Sequence, residues 1–254
     1  MSATGIAAPL RAAPRFERLR LLSRSPAFLV GLGILLFWIG CALFGHLFVD
    51  PLGDDILNSL SPPSAQHWFG TDELGRDMFA RVIAGARDIL VVAPLATLLG
   101  VALGTALGLV MGFFPGWIDD VLSRIVEAVL ALPLLILALL ALTALGASNA
   151  TVVAAIGLSF MPIVARTVRA AVMAERNLDY VAAARLRGES APYLMAVEVL
   201  PNILPPIVVE LTVRLGYAIF TVATLSFLGV GLQPPSSDWG FAISENYALI
   251  GGGY

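Results

Sequence analysis

Apolar runs long enough to cross a bilayer recur along this chain, with short polar segments between them. They lie at Ala27–Val49, Ile89–Phe114, Ile125–Ala147, Ala150–Ala165 and Ile203–Leu228. A helix of roughly twenty apolar residues matches the hydrocarbon core of a membrane. The pattern therefore predicts an all-α polytopic membrane protein, with residues 27–254 as the transmembrane domain behind a polar segment, 1–26. Within the second run Gly100, Gly104 and Gly108 recur every fourth residue, a small-residue face that lets another helix approach closely. The third run carries Pro133 as a predicted kink, and the fourth is short and interrupted at Met161–Pro162.

Two polar segments carry patterns of their own. The long segment 50–88 looks helical from about Leu74, with Thr71 or Asp72 as the cap. Met78 with Val82, and Phe79 with Ile83, then share a stripe at i,i+4 spacing, as in an amphipathic helix at a membrane interface. Arg76, Asp77, Met78 and Phe79 are its candidates for a gate or a partner contact, against the plainer reading of a structural collar. The second is Tyr180–Pro201, within the polar loop 166–202, which reads as two short helices joined by a turn. Asp179 is a plausible N-cap, Gly188 a left-handed stop, Ser190 a second cap and Pro192 a first-turn proline. Such a loop suits being gripped by another protein, or it is a solvated connector.

Charge fixes the expected orientation. Arg11, Arg15, Arg18, Arg20 and Arg24 precede the first run, and Arg124, Arg166, Arg169, Arg176, Arg185 and Arg187 fall on the same side under a five-span topology. Only Arg76, Arg81 and Arg87 fall opposite, in a segment with Asp50, Asp54, Asp55, Asp72, Glu73, Asp77 and Asp88. By the positive-inside rule the N-terminus and the 166–202 loop are cytoplasmic. Residues 15–25 are expected to lie as a helix along the headgroups, and residues 1–14 are open to the reading of a disordered basic tail. Five spans from that start leave the C-terminus outside.

Composition narrows the chemistry. The chain has 254 residues, 58% of them hydrophobic and 13% charged, and a mean hydropathy of +0.88. All its basic residues other than two histidines are arginine, so no lysine-dependent phosphate loop is possible. His46, His67 and Cys41 are too scattered for a zinc site, and one cysteine excludes an intramolecular disulfide. Catalysis is not expected, and transport, channel or scaffold remain. Glu210 and Arg214 stand one turn apart inside the fifth run, where a charge facing lipid costs several kcal/mol. They are expected to pair and to line a translocation path, to meet another subunit, or to sit at the cytoplasmic-side interface.

Ala182–Ala183–Ala184, Gly188 and Leu200–Pro201 resemble the EAA loop of ABC importer permeases, with Ala182 where the family has glutamate and Glu198 where it has an apolar residue or histidine. The stretches Phe69–Asp77, Gly85–Leu90, Tyr180–Gly188, Val199–Asn202 and Leu225–Gly240 are similar to the dipeptide/oligopeptide/nickel branch, of the second-permease type. The resemblance implies a MetI-like type I importer bundle, five spans visible of six, with the chain either truncated or partly represented. It also implies a non-catalytic permease in the bacterial inner membrane. The expected partners are a homologous permease, two ATPase subunits that hold ATP and Mg²⁺, an extracytoplasmic solute-binding protein and the lipid bilayer. No nucleic acid, metal or cofactor is expected for this chain. Ala182, Ala183, Ala184, Arg185, Arg187, Gly188 and Glu189 become candidates for ATPase coupling. Di- or oligopeptides lead as cargo, with nickel chelates, glutathione and haem as alternatives; an ion-coupled secondary carrier and a scaffold are readings of other classes.

Overall fold

The computed structural model describes residues 23–49, 53, 56–247 and 249. The basic residues Arg11, Arg15, Arg18 and Arg20, and the acids Asp50, Asp54 and Asp55, lie outside the described residues. Helix α1 is Pro26–Phe44, with Ser25 at its N-cap, and α2 is Met78–Phe113. Helices α3, Trp117–Leu130, and α4, Leu134–Leu145, are followed by α5, Asn149–Glu175. The chain continues with α6, Asp179–Leu186, α7, Leu204–Phe227, and α8, Trp239–Asn246. Four helices are long and apolar enough to cross a membrane, and a fifth crossing results if the α3–α4 pair counts as one broken span.

Several expected boundaries move. The amphipathic outer helix and the second span are one helix of 36 residues, capped by Asp77, whose carboxylate accepts from the amides of Phe79 and Ala80. Asp72, expected as the cap, instead folds the preceding loop by accepting from the amides of Leu74 and Arg76. The third span is not one helix: α3 and α4 meet at an 86° bend across Ala131–Pro133. Pro133 lacks the N–H a continuous helix needs there. The expected turn 115–124 is already helical from Trp117, where Gly116 adopts φ 101°.

The fourth span runs on in the opposite sense. Helix α5 continues through Pro162 to Glu175, so Arg166 and Arg169 are helical rather than in a loop. Its start is fixed by a reciprocal cap between Ser148 and Thr151. Pro162 is itself buried, and dense packing on α2 compensates for the helical hydrogen bond it cannot donate. Side by side, α2 and α5 run parallel. A Cβ on Gly100 would fall 2.7 Å from the Gly157 carbonyl oxygen, one on Gly104 2.6 Å from Val164 Cβ, and one on Gly108 2.6 Å from the Ala165 carbonyl oxygen. Gly112 extends the same seam toward Val172. The small-residue face is thus the central contact of the bundle.

Helix α7 packs antiparallel to this pair. Near one end, Val92, Ala96, Val152, Ile156, Ala218 and Leu225 form a core; near the other, Val101, Val164, Val168, Val199 and Ile207 form a second. The ends of α2, α5 and the start of α7 therefore share one end of the bundle with residues 176–203. The starts of α2 and α5, the end of α7 and helix α8 share the other.

Candidate functional site

The polar stretch 176–203 folds as a compact hairpin. Helix α6 ends at Leu186 with Arg187 as its C-cap, and Gly188 adopts the expected left-handed conformation, φ 84°. Leu178, not Asp179, occupies the N-cap, so Asp179 is the first helical residue, where its charge favours the helix dipole. Ser190 holds the second cap position without a side-chain bond, and Ala191–Tyr193 leads into a π-helical segment, Leu194–Val199.

The hairpin is braced against the bundle. Val181 and Ala184 are fully buried with Val168, Val172, Leu194 and Val199. Arg176 Nη1 donates to the Gly112 carbonyl at 2.6 Å, fastening the end of α5 to the end of α2. Tyr180 Oη donates to Glu175 at 2.7 Å and accepts from Asn202 at 3.2 Å, tying α6 to its two flanks. Burial, followed by the hydrogen bond to Glu175, pushes the Tyr180 phenol up to about 12. Nearby, Arg169 clasps Asp119 with both carboxylate oxygens, at 2.5 and 2.6 Å, and holds α3 to α5.

This bracing sorts the candidate coupling residues. Ala182, Ala183, Arg185, Arg187 and Gly188 are exposed, and Leu186 is 90% exposed at the tip. Ala184 faces inward and is packing, not a docking surface. Arg187 bonds Glu198 at 3.2 Å and approaches Glu189 at 3.9 Å, so this trio closes the hairpin on itself. Arg185 lies over the Phe113 ring at 5.8 Å. Ala182 is exposed and presents a bare methyl where the resembling loop has glutamate.

Inside the bundle Glu210 and Arg214 form the expected pair, Nε to Oε2 at 2.9 Å. The second oxygen of Glu210 accepts from Thr167 of α5 at 2.8 Å, a partner the sequence reading did not foresee. The Arg214 guanidinium also stacks on Phe160 and Tyr217, at 5.8 and 5.4 Å.

At the opposite end Arg76 and Asp77 take separate duties. Asp77 caps α2 and holds His67 at 3.0 Å. Arg76 bonds Asp72 at 2.7 Å and Glu245 of α8 at 3.0 Å. Arg81, passed over in the sequence as an outer arginine, is the centre of this cluster. It is 2% exposed and bonds Asp72 at 2.8 Å and Glu245 at 2.6 Å. The spacing Asp72–Arg76–Arg81 carried a hint of it; Glu245, remote in sequence, carried none. Phe79 packs on Trp68 and Phe69, and Met78 lines a largely apolar cavity of about 880 Å³ between α1, the loop before α2 and α8. Among the described residues no group of three metal-ligating side chains converges.

Four or five apolar spans around a parallel helix seam, with a braced polar hairpin at one end and a buried ion cluster at the other, mark a polytopic α-helical membrane protein. The chain belongs to the family of binding-protein-dependent transport system inner membrane components, whose pattern it matches over residues 104–253. It is 37% identical to the dipeptide transport system permease protein DppC of Alkalihalophilus pseudofirmus, over 93% of this chain and 79% of that protein. It is 42% identical to the glutathione transport system permease protein GsiD of Shigella flexneri over 75% of this chain, an alignment spanning 63% of that protein's length. A chain of the inward-facing MetNI methionine ABC transporter superposes with a TM-score of 0.57 at 20% identity, over 69% of this chain and 83% of that one. The fold is therefore the expected MetI-like importer bundle.

Proposed function

We propose that this chain is the permease half of an ATP-driven peptide importer and that the hairpin 176–203 receives the stroke of an ATPase subunit. The observation that carries the reading is mechanical. An exposed tip, Leu186 with Ala182, Ala183 and Arg185, stands on a base wedged by Val181, Ala184 and Arg176 into the ends of α2 and α5. Force applied at the tip reaches the helices without being absorbed by a soft joint. The chain itself supplies no catalysis; ATP and Mg²⁺ belong to two partner ATPase subunits. A homologous permease completes the path and a solute-binding protein delivers cargo from outside. On this reading the N-terminus and the hairpin lie in the cytoplasm. The arginine distribution supports this, as does the shared end of α2, α5 and the start of α7.

Movement follows from rigid packing. Closure of the ATPases draws the docked hairpins together, and the close α2–α5 seam makes the helices rock as one body. Di- or oligopeptides are the leading cargo, in line with the similarity to a dipeptide permease. Glutathione is the second reading, favoured by the similarity to a glutathione permease, and nickel chelates and haem follow only from the wider branch. The test is reconstitution of the full assembly in proteoliposomes with a panel of these solutes. Uptake that needs ATP and the binding protein, and survives a collapsed ion gradient, is expected; uptake driven by the gradient alone would sink the reading in favour of a secondary carrier.

A further inference from the structure

Arg214 is a charged side chain in the middle of an apolar helix, and its bonding leaves one edge unused. Nε is spent on Glu210 at 2.9 Å. Glu210 is in turn spent sideways, on Arg214 through one oxygen and on Thr167 through the other. Phe160 and Tyr217 hold the guanidinium by its faces. Nη1 and Nη2 have no hydrogen-bond partner among the described residues. The side chain as a whole is 15% exposed, so it is not fully sealed within the bundle. Around it α7 leaves Thr212, Val213, Gly216 and Tyr217 uncovered, and a guanidinium set among them belongs against protein or water rather than lipid.

A fixed, planar guanidinium with its terminal edge open matches a carboxylate bidentately, which a lysine in the same place would not do. We propose that Arg214 binds a free carboxylate of the transported solute during its passage through the membrane, with Nη1 and Nη2 as the donors. This rests on the importer reading above and adds to it a residue that selects cargo by chemistry. Glu210 has two parts in it. It holds the guanidinium in one orientation, and its charge tempers the attraction. Transit needs a site favourable enough to enter and weak enough to leave. An unpaired arginine in a low-dielectric path would hold an anion too long; the pair retains the donor geometry at reduced field.

The test uses the complete assembly in proteoliposomes, with alanyl-alanine and glutathione as probes, both bearing free carboxylates. Arg214→Gln is expected to lower ATP-dependent uptake of the transported probe roughly 10- to 100-fold, the range for a charge-assisted hydrogen-bonded contact. Arg214→Lys, which keeps the charge and loses the fork, should fall between that variant and wild type. The double variant Glu210→Gln/Arg214→Gln separates recognition from structure. A merely structural pair is relieved when both charges go, and uptake returns; a lost carboxylate contact stays lost. Uptake in the double variant equal to wild type would overturn the proposal, as would unchanged uptake in Arg214→Gln. If Arg214→Gln does not assemble, the lysine and double variants carry the same comparison. A wild-type assembly that takes up neither probe with ATP overturns the dipeptide and glutathione cargo readings and this proposal together, a failure recognisable because it precedes any substitution.

Discussion

Replacing Arg81 by methionine tests the cluster that joins the start of α2 to α8. In the native fold the Asp72 carboxylate is nearly fully buried. It accepts from Arg81 at 2.8 Å, from Arg76 at 2.7 Å, and from the amides of Leu74 and Arg76 at 3.0 and 2.9 Å. Breaking a buried pair by removing one partner costs about 3–5 kcal/mol, because the other charge is left uncompensated. Here Asp72 keeps Arg76 and two amides, and Glu245 keeps Arg76 at 3.0 Å, so the loss falls at the lower end, about 3 kcal/mol. Glu245→Gln is the contrast. Its carboxylate is 28% exposed and both arginines retain Asp72, so its loss should be about 1 kcal/mol or less. For a chain of this length each kcal/mol moves the melting midpoint by roughly 2–4 °C, which separates the two variants by several degrees. The assay is thermal unfolding in detergent followed by tryptophan fluorescence, since Trp239 packs on Trp38 beside the cluster. Arg81→Met melting no lower than Glu245→Gln would refute the assignment of Arg81 as the keystone.

Gly104→Leu should prevent close approach of α2 and α5, because even its Cβ meets Val164 and the Met161 carbonyl at 2.6 and 2.7 Å. A loss of about 1–3 kcal/mol is expected in the same melting assay, and an unchanged midpoint would argue against the seam. Gly188→Val meets open space but forces a branched side chain to φ 84°, so the expected effect is a distorted hairpin with intact assembly and reduced transport-coupled ATPase activity. Unchanged coupling there would remove the hairpin from the stroke. Absorbance titration at 295 nm should show one tyrosine ionising late, near 12, and replacing Glu175 by glutamine should bring it closer to the ordinary value of 10.0. The fold favours the protonated phenol, so its stabilising contribution is complete below about pH 10 and is lost as pH rises toward 12. Burial raises the Asp238 carboxyl above its usual value of 3.8, and its Oδ1 has no partner among the described residues. Stability should therefore decline as pH rises from 3.8 through the shifted value; Asp238→Asn, still able to cap α8, should flatten that slope in a pH series of melts.

The sequence exposed what depends on local pattern. Span positions, the α2–α5 glycine seam, the Gly188 turn and the Glu210–Arg214 pair all follow from spacings of four or fewer residues or from runs of one polarity. The end of α5 is misplaced for one reason: Arg166 and Arg169 are hydrophilic and read as the edge of a span. In the fold Arg169 is satisfied by Asp119, 50 residues away, and Arg166 stays exposed, so the helix runs straight through both. Arg169 meets Asp119 and Arg81 meets Glu245, pairings that no periodicity encodes. The hairpin was legible as a unit, but not its orientation: only the packed structure shows that Ala184 turns inward while Ala182 and Ala183 turn out.

Helix α2 has 36 residues, and at 1.5 Å per residue it is about 54 Å long, against a hydrocarbon core of about 30 Å. One continuous element therefore begins in the Asp72–Arg81–Glu245 ion cluster and ends where Gly112 receives Arg176 from the hairpin. Binding free energies at its two ends are then linked through a single body. If an ATPase docked at the hairpin displaces that body, a protein docked at the outer face must alter ATPase affinity by the same factor that the ATPase alters its own. Reciprocal titration of the two partners on the reconstituted assembly should return equal coupling factors in both directions.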